Sequence, residues 1–279
     1  IHLQLPILPN LPAARTVLLP LRKKEHFPPS SGGTFTDNSD SSMDNLLNQV
    51  QSLLPTDNGT WSVYVCNLAK NTEGAINDQQ MQAASLIKLY IMGAVYENYD
   101  QITGQYGRDS VDSNLYSMIT VSDNDAANTL TTYLGGGDSA AGMQAVNSFC
   151  QAHGYDQTHM GRMLLASNEN DDNYTSVGDC GHLLQEIYKQ DTSGYTHAAD
   201  MFNLLKAQTR CNKIPAQLPE GVKTANKTGE LDNVENDAGI IYDSKNDVVI
   251  VFMSQNLSSA GSAQNTIATL SRTIYDYYN

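Results

Sequence analysis

The chain has 279 residues, 40% of them hydrophobic, enough for a packed core in one large domain or two small ones, which excludes a disordered chain. Its 30 acidic residues against 16 basic ones leave a net charge of −14, so its surface as a whole repels nucleic acid and anionic headgroups. No apolar run is long enough to span a bilayer, and the six histidines and four cysteines fall in no metal-ligand spacing, so neither a metal nor a cofactor is implied.

Residues 1–27 are rich in leucine and proline, with a basic patch at Arg22-Lys23-Lys24, and the prolines at 6, 9, 12 and 20 argue against a regular helix or an internal strand. The start at Ile1 rather than at methionine suggests a processed product whose targeting signal has gone. Residues 28–42 are almost all Pro, Ser, Gly, Thr, Asn and Asp, too polar to offset ordering entropy, and read as a linker or stalk. From Met43, apolar residues at Leu46, Leu47, Val50 and Leu53-Leu54 recur with helical spacing after Asp and Ser residues suited to an N-cap. Trp61 to Leu68 alternates as a strand, and Lys70 to Asn77 supplies the turn and the start of a partner.

The middle, from Ser85 to about Arg210, reads helical with short loops and a Gly135-Gly136-Gly137 break. Two closing strands follow at Ala238–Tyr242 and Val248–Met253, then a helix from about Ala260 to Tyr278. Strand material is thus confined to the two ends. The expected fold is α/β of the α+β kind: an antiparallel sheet flanked by helices, formed by about 43–84 and 213–279, with an all-helical subdomain inserted at about 85–212. Residues 1–42 then form an N-terminal extension and linker. Cys66, Cys150, Cys180 and Cys211 allow three full pairings, and one or two disulfides or free buried thiols both remain open.

Three short motifs carry the chemistry: Ser85-Leu86-Ile87-Lys88, Ser122-Asp123-Asn124 and Lys227-Thr228-Gly229. An S-x-x-K pattern alone arises by chance in roughly every second or third chain of this length, whereas the two fully specified tripeptides each do so in about a few percent. Their ordered conjunction is therefore specific. Alone, S-x-x-K is ordinarily a helix with a solvated lysine, S-D-N a helix cap, and K-T-G a solvated turn. Ser85 and Lys88 stand at i and i+3, so a helix over Ala84–Val95 puts them on one face. A serine hydroxyl needs a base, and a lysine serves as one only where burial or nearby cations lower its pKa. Leu86, Ile87, Leu89 and Ile91 supply apolar surroundings.

With Met118-Ile119-Thr120-Val121 before the second motif, Lys213-Ile214-Pro215 and Leu218-Pro219 before the third, and Glu235 to Ile240 after it, the chain resembles class A β-lactamases and penicillin-binding proteins. The resemblance covers roughly Met43 to Asn279. It implies an active site in the cleft between the two subdomains and acyl transfer through Ser85, with Lys88 as base and Ser122 passing a proton to the leaving nitrogen. Asn124 would hold the substrate's side-chain amide and Lys227 would supply positive charge. Thr228 would donate to a substrate carboxylate, Gly229 would admit close backbone approach, and the N–H groups of Ser85 and Glu230 would form the oxyanion hole. By the same resemblance Glu169, with Asn173 four residues on, has the spacing of the pair that activates the deacylating water, although the loop from Arg162 to Thr175 is a few residues short.

Two departures stand out. The interval from Ser85 to Ser122 is short, trimming the segment that carries an aromatic wall; Tyr99, Tyr106 and Tyr116 lie in it, and none is assigned. Ala238 falls where many members place a carboxylate-binding arginine. The Asn-x-Ser/Thr matches at Asn58, Asn173, Asn226 and Asn256 are read as coincidental, because Asn226 abuts the site. The implied activity is first β-lactam hydrolysis through an acyl-Ser85 intermediate, the chemistry of antibiotic resistance. Second comes a penicillin-binding D-Ala-D-Ala carboxypeptidase-like enzyme with slow deacylation, and third a catalytically inactive cell-wall module. The implied partners are a β-lactam or a peptidoglycan stem peptide, which places the protein outside the cytoplasm, secreted or associated with the cell envelope.

Overall fold

The computed structural model describes residues 34–38, 40–190 and 195–279. The Leu/Pro-rich stretch and the first part of the linker lie outside the described residues. In chain order the elements are β1 (Thr34–Asn38), α1 (Ser41–Leu53), β2 (Thr60–Asn67), β3 (Thr72–Ile76), β4 (Met81–Gln82), a 3-10 turn (Ala84–Leu86), α2 (Ile87–Glu97), α3 (Tyr99–Tyr106), α4 (Arg108–Thr120), α5 (Asn124–Leu134), α6 (Ser139–His153), β5 (His159–Met160), β6 (Asn173–Thr175), α7 (Val177–Lys189), α8 (Ala198–Lys206), a 3-10 turn (Ile214–Gln217), β7 (Lys223–Leu231), β8 (Val234–Tyr242), β9 (Val248–Gln255) and α9 (Ala260–Tyr278).

The main sheet is antiparallel, in the order β1-β3-β2-β9-β8-β7. The two ends of the chain meet at β2 and β9, paired continuously from Thr60↔Gln255 to Asn67↔Val248. β1 falls inside the stretch read as a linker; its backbone pairs with the edge of β3 (Thr34↔Ile76, Phe35↔Ala75), a ladder that composition alone does not announce. α1 starts two residues before Met43, because Asp40 accepts from the Met43 N–H at 2.8 Å and caps it.

Both faces of the sheet are covered, so β9 reads as a continuous apolar run rather than an alternating one. Val63, Val65, Val248, Ile250 and Phe252 pack on Met43, Leu46 and Leu47 of α1 and Ile267, Leu270 and Ile274 of α9. Tyr64, Cys66, Val249, Val251 and Met253 face the inserted part. That part is helical apart from a small sheet, β4-β6-β5, whose strands of two or three residues are too short to leave a periodic signal. Through its centre runs α2, buried from Ile87 to Tyr96 and apolar all round, as a core helix is. Its one basic residue is Lys88.

All four cysteines are free thiols, three of them buried and Cys211 exposed. Burial pushes the Cys66 and Cys180 thiols up to about 12, which keeps them protonated and inert. Among the described residues no helix is long and apolar enough to cross a membrane, and no group of three or more His, Cys, Asp or Glu is placed to hold a metal. Ile250→Ala, at the fully buried centre of the sheet, should lower unfolding free energy by about 2–5 kcal/mol in urea melts, whereas Leu53→Ala on the exposed face of α1 should change it by less than about 0.5 kcal/mol.

Candidate active site

The turn before α2 is held from three sides. Asn236 of β8 donates through Nδ2 to the carbonyls of Gln82 (2.9 Å) and Ala83 (3.1 Å). The Ala83 N–H donates to the Asn173 carbonyl at 2.8 Å, and the Gln82 N–H to Gln255 Oε1 at 3.0 Å. Ala84 then takes a left-handed backbone (φ 47°), which costs an L-residue about 1–3 kcal/mol and persists only where the surroundings dictate it. The consequence is that half-buried Ser85 points into a cleft at the very start of the buried helix.

One turn on, Lys88 is completely buried. Its Nζ lies 2.7 Å from the Ser122 carbonyl, 2.7 Å from Asn124 Oδ1, 3.0 Å from Ser85 Oγ and 3.1 Å from Ser122 Oγ. The first two partners accept and never donate. A neutral amine has two protons and one lone pair, so with both N–H groups committed to those acceptors the lone pair is left for a hydroxyl proton. Burial brings the Lys88 pKa down to about 7, against the attraction of Asp123 and with Arg210 adding to the depression. Near neutral pH much of it is free base, the form that can deprotonate Ser85.

The S-D-N motif divides its labour. Asp123 caps α5, accepting from the Ala126 N–H at 2.7 Å, while Ser122 and Asn124 face the cleft. Ser122 is left-handed (φ 61°), and its carbonyl and hydroxyl both reach Lys88. On the other side Lys227 Nζ, also buried, donates to Ser122 Oγ at 2.9 Å and to the Thr228 carbonyl at 2.7 Å. Burial, then repulsion from Lys88, holds Lys227 well below the ordinary lysine range despite Asp237. A chain of steps near 3 Å therefore links Ser85 Oγ, Lys88 Nζ and Ser122 Oγ, a path for carrying a proton from nucleophile to leaving group.

β7 is the sheet edge that lines the cleft, and Gly229 lets it close in. A Cβ at Gly229 would lie 2.9 Å from the Ala83 carbonyl oxygen and 3.1 Å from the Ser85 nitrogen, so any side chain would push the strand off the serine turn. The Ser85 nitrogen is thereby brought close to the β7 backbone at Gly229. The cleft, about 150 Å³, is lined by Ser85, Ser122, Asn124, Arg210, Thr228 and Glu230. The Glu230 side chain is occupied as well: Oε1 takes buried Lys213 at 2.9 Å and Oε2 stands 3.7 Å from Arg210. Burial would raise its pKa, but Lys213 and Arg210 outweigh that and hold the carboxyl low, leaving a poor base. Arg210 supplies the cleft with the cation that the Ala238 position lacks. Tyr99, Tyr106 and Tyr116 do not line the cleft; the first two stack on Tyr96 and Tyr133.

Glu169 is not among the residues brought together. Its side chain is exposed, its backbone N–H donates to Ser167 Oγ at 3.3 Å, and it does not line the cleft. The loop is registered by other groups. Arg162 and Asp172 close it with a 2.7 Å ion pair, and Asp172 also accepts from Gln82 at 3.0 Å. Asn173 is buried, but its Oδ1 accepts from the N–H groups of Gly161 (3.0 Å) and Arg162 (3.2 Å), so it anchors the loop rather than pairing with Glu169. Asn128, one turn after Asn124 on α5, clamps the backbone of Leu164, accepting from its N–H at 2.8 Å and donating to its carbonyl at 3.0 Å. The residue fixed beside the S-D-N helix is thus a buried leucine. Composition and the four-residue spacing single out Glu169, whereas the long-range bonds of this loop are made by Asn128 and Asp172.

A serine at the start of a buried helix, a desolvated lysine beside it and a polar cleft against a sheet edge define a serine acyl-transfer site on the class A β-lactamase fold. A sequence profile described as the beta-lactamase enzyme family matches residues 45–107 and 105–278, and the chain belongs to that family. Among solved structures it is similar to PBP-A (24% identity, TM-score 0.73, 83% of this chain and 95% of that one). It is also similar to a point mutant of PBP-A as an acyl-enzyme complex with penicillin-G (23%, 0.73, 84% and 96%). The beta-lactamase from Sphaerobacter thermophilus DSM 20745 is a further neighbour (20%, 0.68, 83% and 96%). A comparison with curated protein sequences finds no match.

Gly229→Ala should fold normally yet slow acylation at least about tenfold, by widening the gap between β7 and Ser85. A lysine acts as a base only when neutral, so an acylation that uses Lys88 should speed up with pH through about 7. The same shift has a stability signature: from pH 7 towards 10 the folded state binds fewer protons at this site than the unfolded chain does, so stability increases with pH. Relative to Lys88→Met, the wild type should therefore gain roughly 4 kcal/mol over that range in denaturant melts; a flat difference would mean that Lys88 stays charged when folded.

Proposed function

We propose that the protein is a penicillin-binding serine enzyme of the D-Ala-D-Ala peptidase type, which is acylated at Ser85 and releases β-lactams slowly. One observation carries this reading. The loop residue fixed against the S-D-N helix is Leu164, while Glu169 is turned to solvent, so among the described residues no free carboxylate stands ready to activate water at the acyl-serine. The resemblance read from the sequence puts β-lactam hydrolysis first; the loop register is our reason for placing the penicillin-binding reading ahead of it. The third reading, an inactive cell-wall module, sits poorly with four intact groups joined within hydrogen-bond reach.

In this mechanism neutral Lys88 takes the Ser85 proton as Oγ attacks the amide carbonyl. The N–H groups of Ser85 and Glu230 receive the developing oxyanion, a contribution worth roughly 10²–10³ per donor. Ser122, between Lys88 and Lys227, delivers the proton to the leaving nitrogen. Asn124 receives the acyl side-chain amide, and Arg210 with Thr228 receives the substrate carboxylate. Peptidoglycan stem peptides are met outside the cytoplasm, so the protein works there.

Intact-protein mass spectrometry with a penicillin tests this directly. A covalent adduct persisting for many minutes, absent in Ser85→Ala, is expected, and Glu169→Ala should leave its lifetime unchanged. Leu164→Glu should shorten it, within the roughly 10²–10⁴ range that a positioned general base contributes. Rapid turnover by the wild type, lost in Glu169→Ala, would instead establish a β-lactamase.

A further inference from the structure

We propose that Gln208 is a positioning residue which holds Arg210 in the cleft and so sets the preference for substrates carrying a carboxylate beside the scissile amide. This rests on the reading of the cleft given above. The guanidinium of Arg210 is poorly fixed by its own contacts, 3.4 Å to the Val121 carbonyl and 3.7 Å to Glu230, and its side chain is 46% exposed. It also lies beyond the end of α8, where neither helix nor strand defines the backbone.

The fixing comes from the backbone side. Gln208 Oε1 accepts from the Arg210 N–H at 2.7 Å, and its Nε2 donates to the Arg210 carbonyl at 2.6 Å, closing a two-point clasp on the residue. The same Nε2 lies 2.6 Å from Asn226 Oδ1, on the strand residue before Lys227. Asn226 is buried, and its Nδ2 donates to Asp237 Oδ1 at 2.9 Å and Oδ2 at 3.2 Å. The polarity of this relay has one solution. The Asp237 carboxylate only accepts, so Asn226 must turn its amide nitrogen inward and its oxygen outward; Gln208 must then give its nitrogen to Asn226 and its oxygen to the Arg210 N–H. Rigidity of the sheet is carried in this way to a loop arginine.

The neighbouring residue ties the same loop to the opposite wall, as Thr209 donates through N–H (3.0 Å) and Oγ1 (3.1 Å) to the Thr120 carbonyl, two residues before Ser122. Residues 208–210 therefore bridge the two walls of the cleft. Arg210 reaches the carbonyl adjacent to Ser122, the proton donor to the leaving nitrogen, so an anion on Arg210 lies next to that nitrogen. A carboxylate on the carbon bearing the leaving nitrogen, as in a penicillin or a C-terminal D-amino acid, meets this placement. Bidentate arginine recognition is sensitive to it.

The test compares acylation of the full chain by a penicillin and by its methyl ester. Gln208→Ala should slow acylation by the acid about tenfold, through misplacement of a binding group, and by the ester less than about twofold. Gln208→Glu, which can accept from the Arg210 N–H but cannot donate to its carbonyl or to Asn226, should behave like Gln208→Ala. Arg210→Ala should discriminate in the same sense, and Gln208→Ala added to it should cost nothing more. Equal slowing of acid and ester, or additive losses in the double variant, would overturn the proposal. If the wild type takes no label from either compound, the reading of the cleft fails. The positioning role is then decided by a crystal structure of Gln208→Ala, supported if Arg210 leaves the cleft wall and refuted if it stays.

Discussion

The site depends on a lysine placed where an ammonium group is unwelcome. Lys88 lies inside a helix that is otherwise apolar on every side, and desolvation there moves its pKa from the ordinary lysine value of 10.5 to about 7. A shift of that size is worth on the order of 5 kcal/mol between the two protonation states. The surroundings do not relieve it with a carboxylate partner; they offer a backbone carbonyl and an amide oxygen, which suit a neutral amine as well as a charged one. Burial thus becomes basicity, and the fold bears the cost of that conversion through its two-sided core.

The remaining features keep hydroxyls within reach of that amine. Ala84 and Ser122 both adopt left-handed backbones that only a determined environment sustains, and they flank or form the two hydroxyl positions. Asn236 fixes the first from the sheet, and α5, capped by Asp123, fixes the second. Gly229 admits the edge strand that completes the cleft. Left-handed backbone occurs in turns elsewhere in the chain as well, but at Ala84 and Ser122 it falls where the two hydroxyls meet Lys88.

The main sheet from both chain ends, the inserted helices and the serine, lysine and S-D-N groups were legible because each rests on local periodicity or on contiguous residues. β1 was not, since a polar five-residue edge strand that joins the sheet by backbone pairing carries no apolar alternation to read. Arg210, Gln208 and Asn128 carry no signal either, since an isolated polar residue shows its role only when the chain folds back on it across tens of residues. Asn236 lies in a stretch that carries the resemblance, but its bonds to the Gln82 and Ala83 carbonyls are not readable from it. Lys213 lay in a stretch recognised for its resemblance, yet its burial between Glu230 and Glu235 was not readable from that. Glu169 shows the opposite limit of local reading. A correct residue type at a familiar spacing was offered by an acidic loop, but the loop's register is set by Arg162, Asp172 and Asn128, none of which the spacing includes.

That register also bears on how acylation and deacylation constrain each other. Asp123 already acts to raise the Lys88 pKa, against its burial. A second carboxylate held at the Leu164 position, on the same helix face as Asn124, adds to that effect and returns Lys88 towards its charged form at neutral pH. A base for the water is therefore gained at the expense of the base for the serine, unless a further cation offsets it. With leucine at the clamp no such compensation is required, and the depressed Lys88 is the one base the proposed acyl transfer needs. Fast hydrolysis would therefore demand rebalancing the charge set around Ser122, Lys227 and Arg210 together with any carboxylate placed at the clamp.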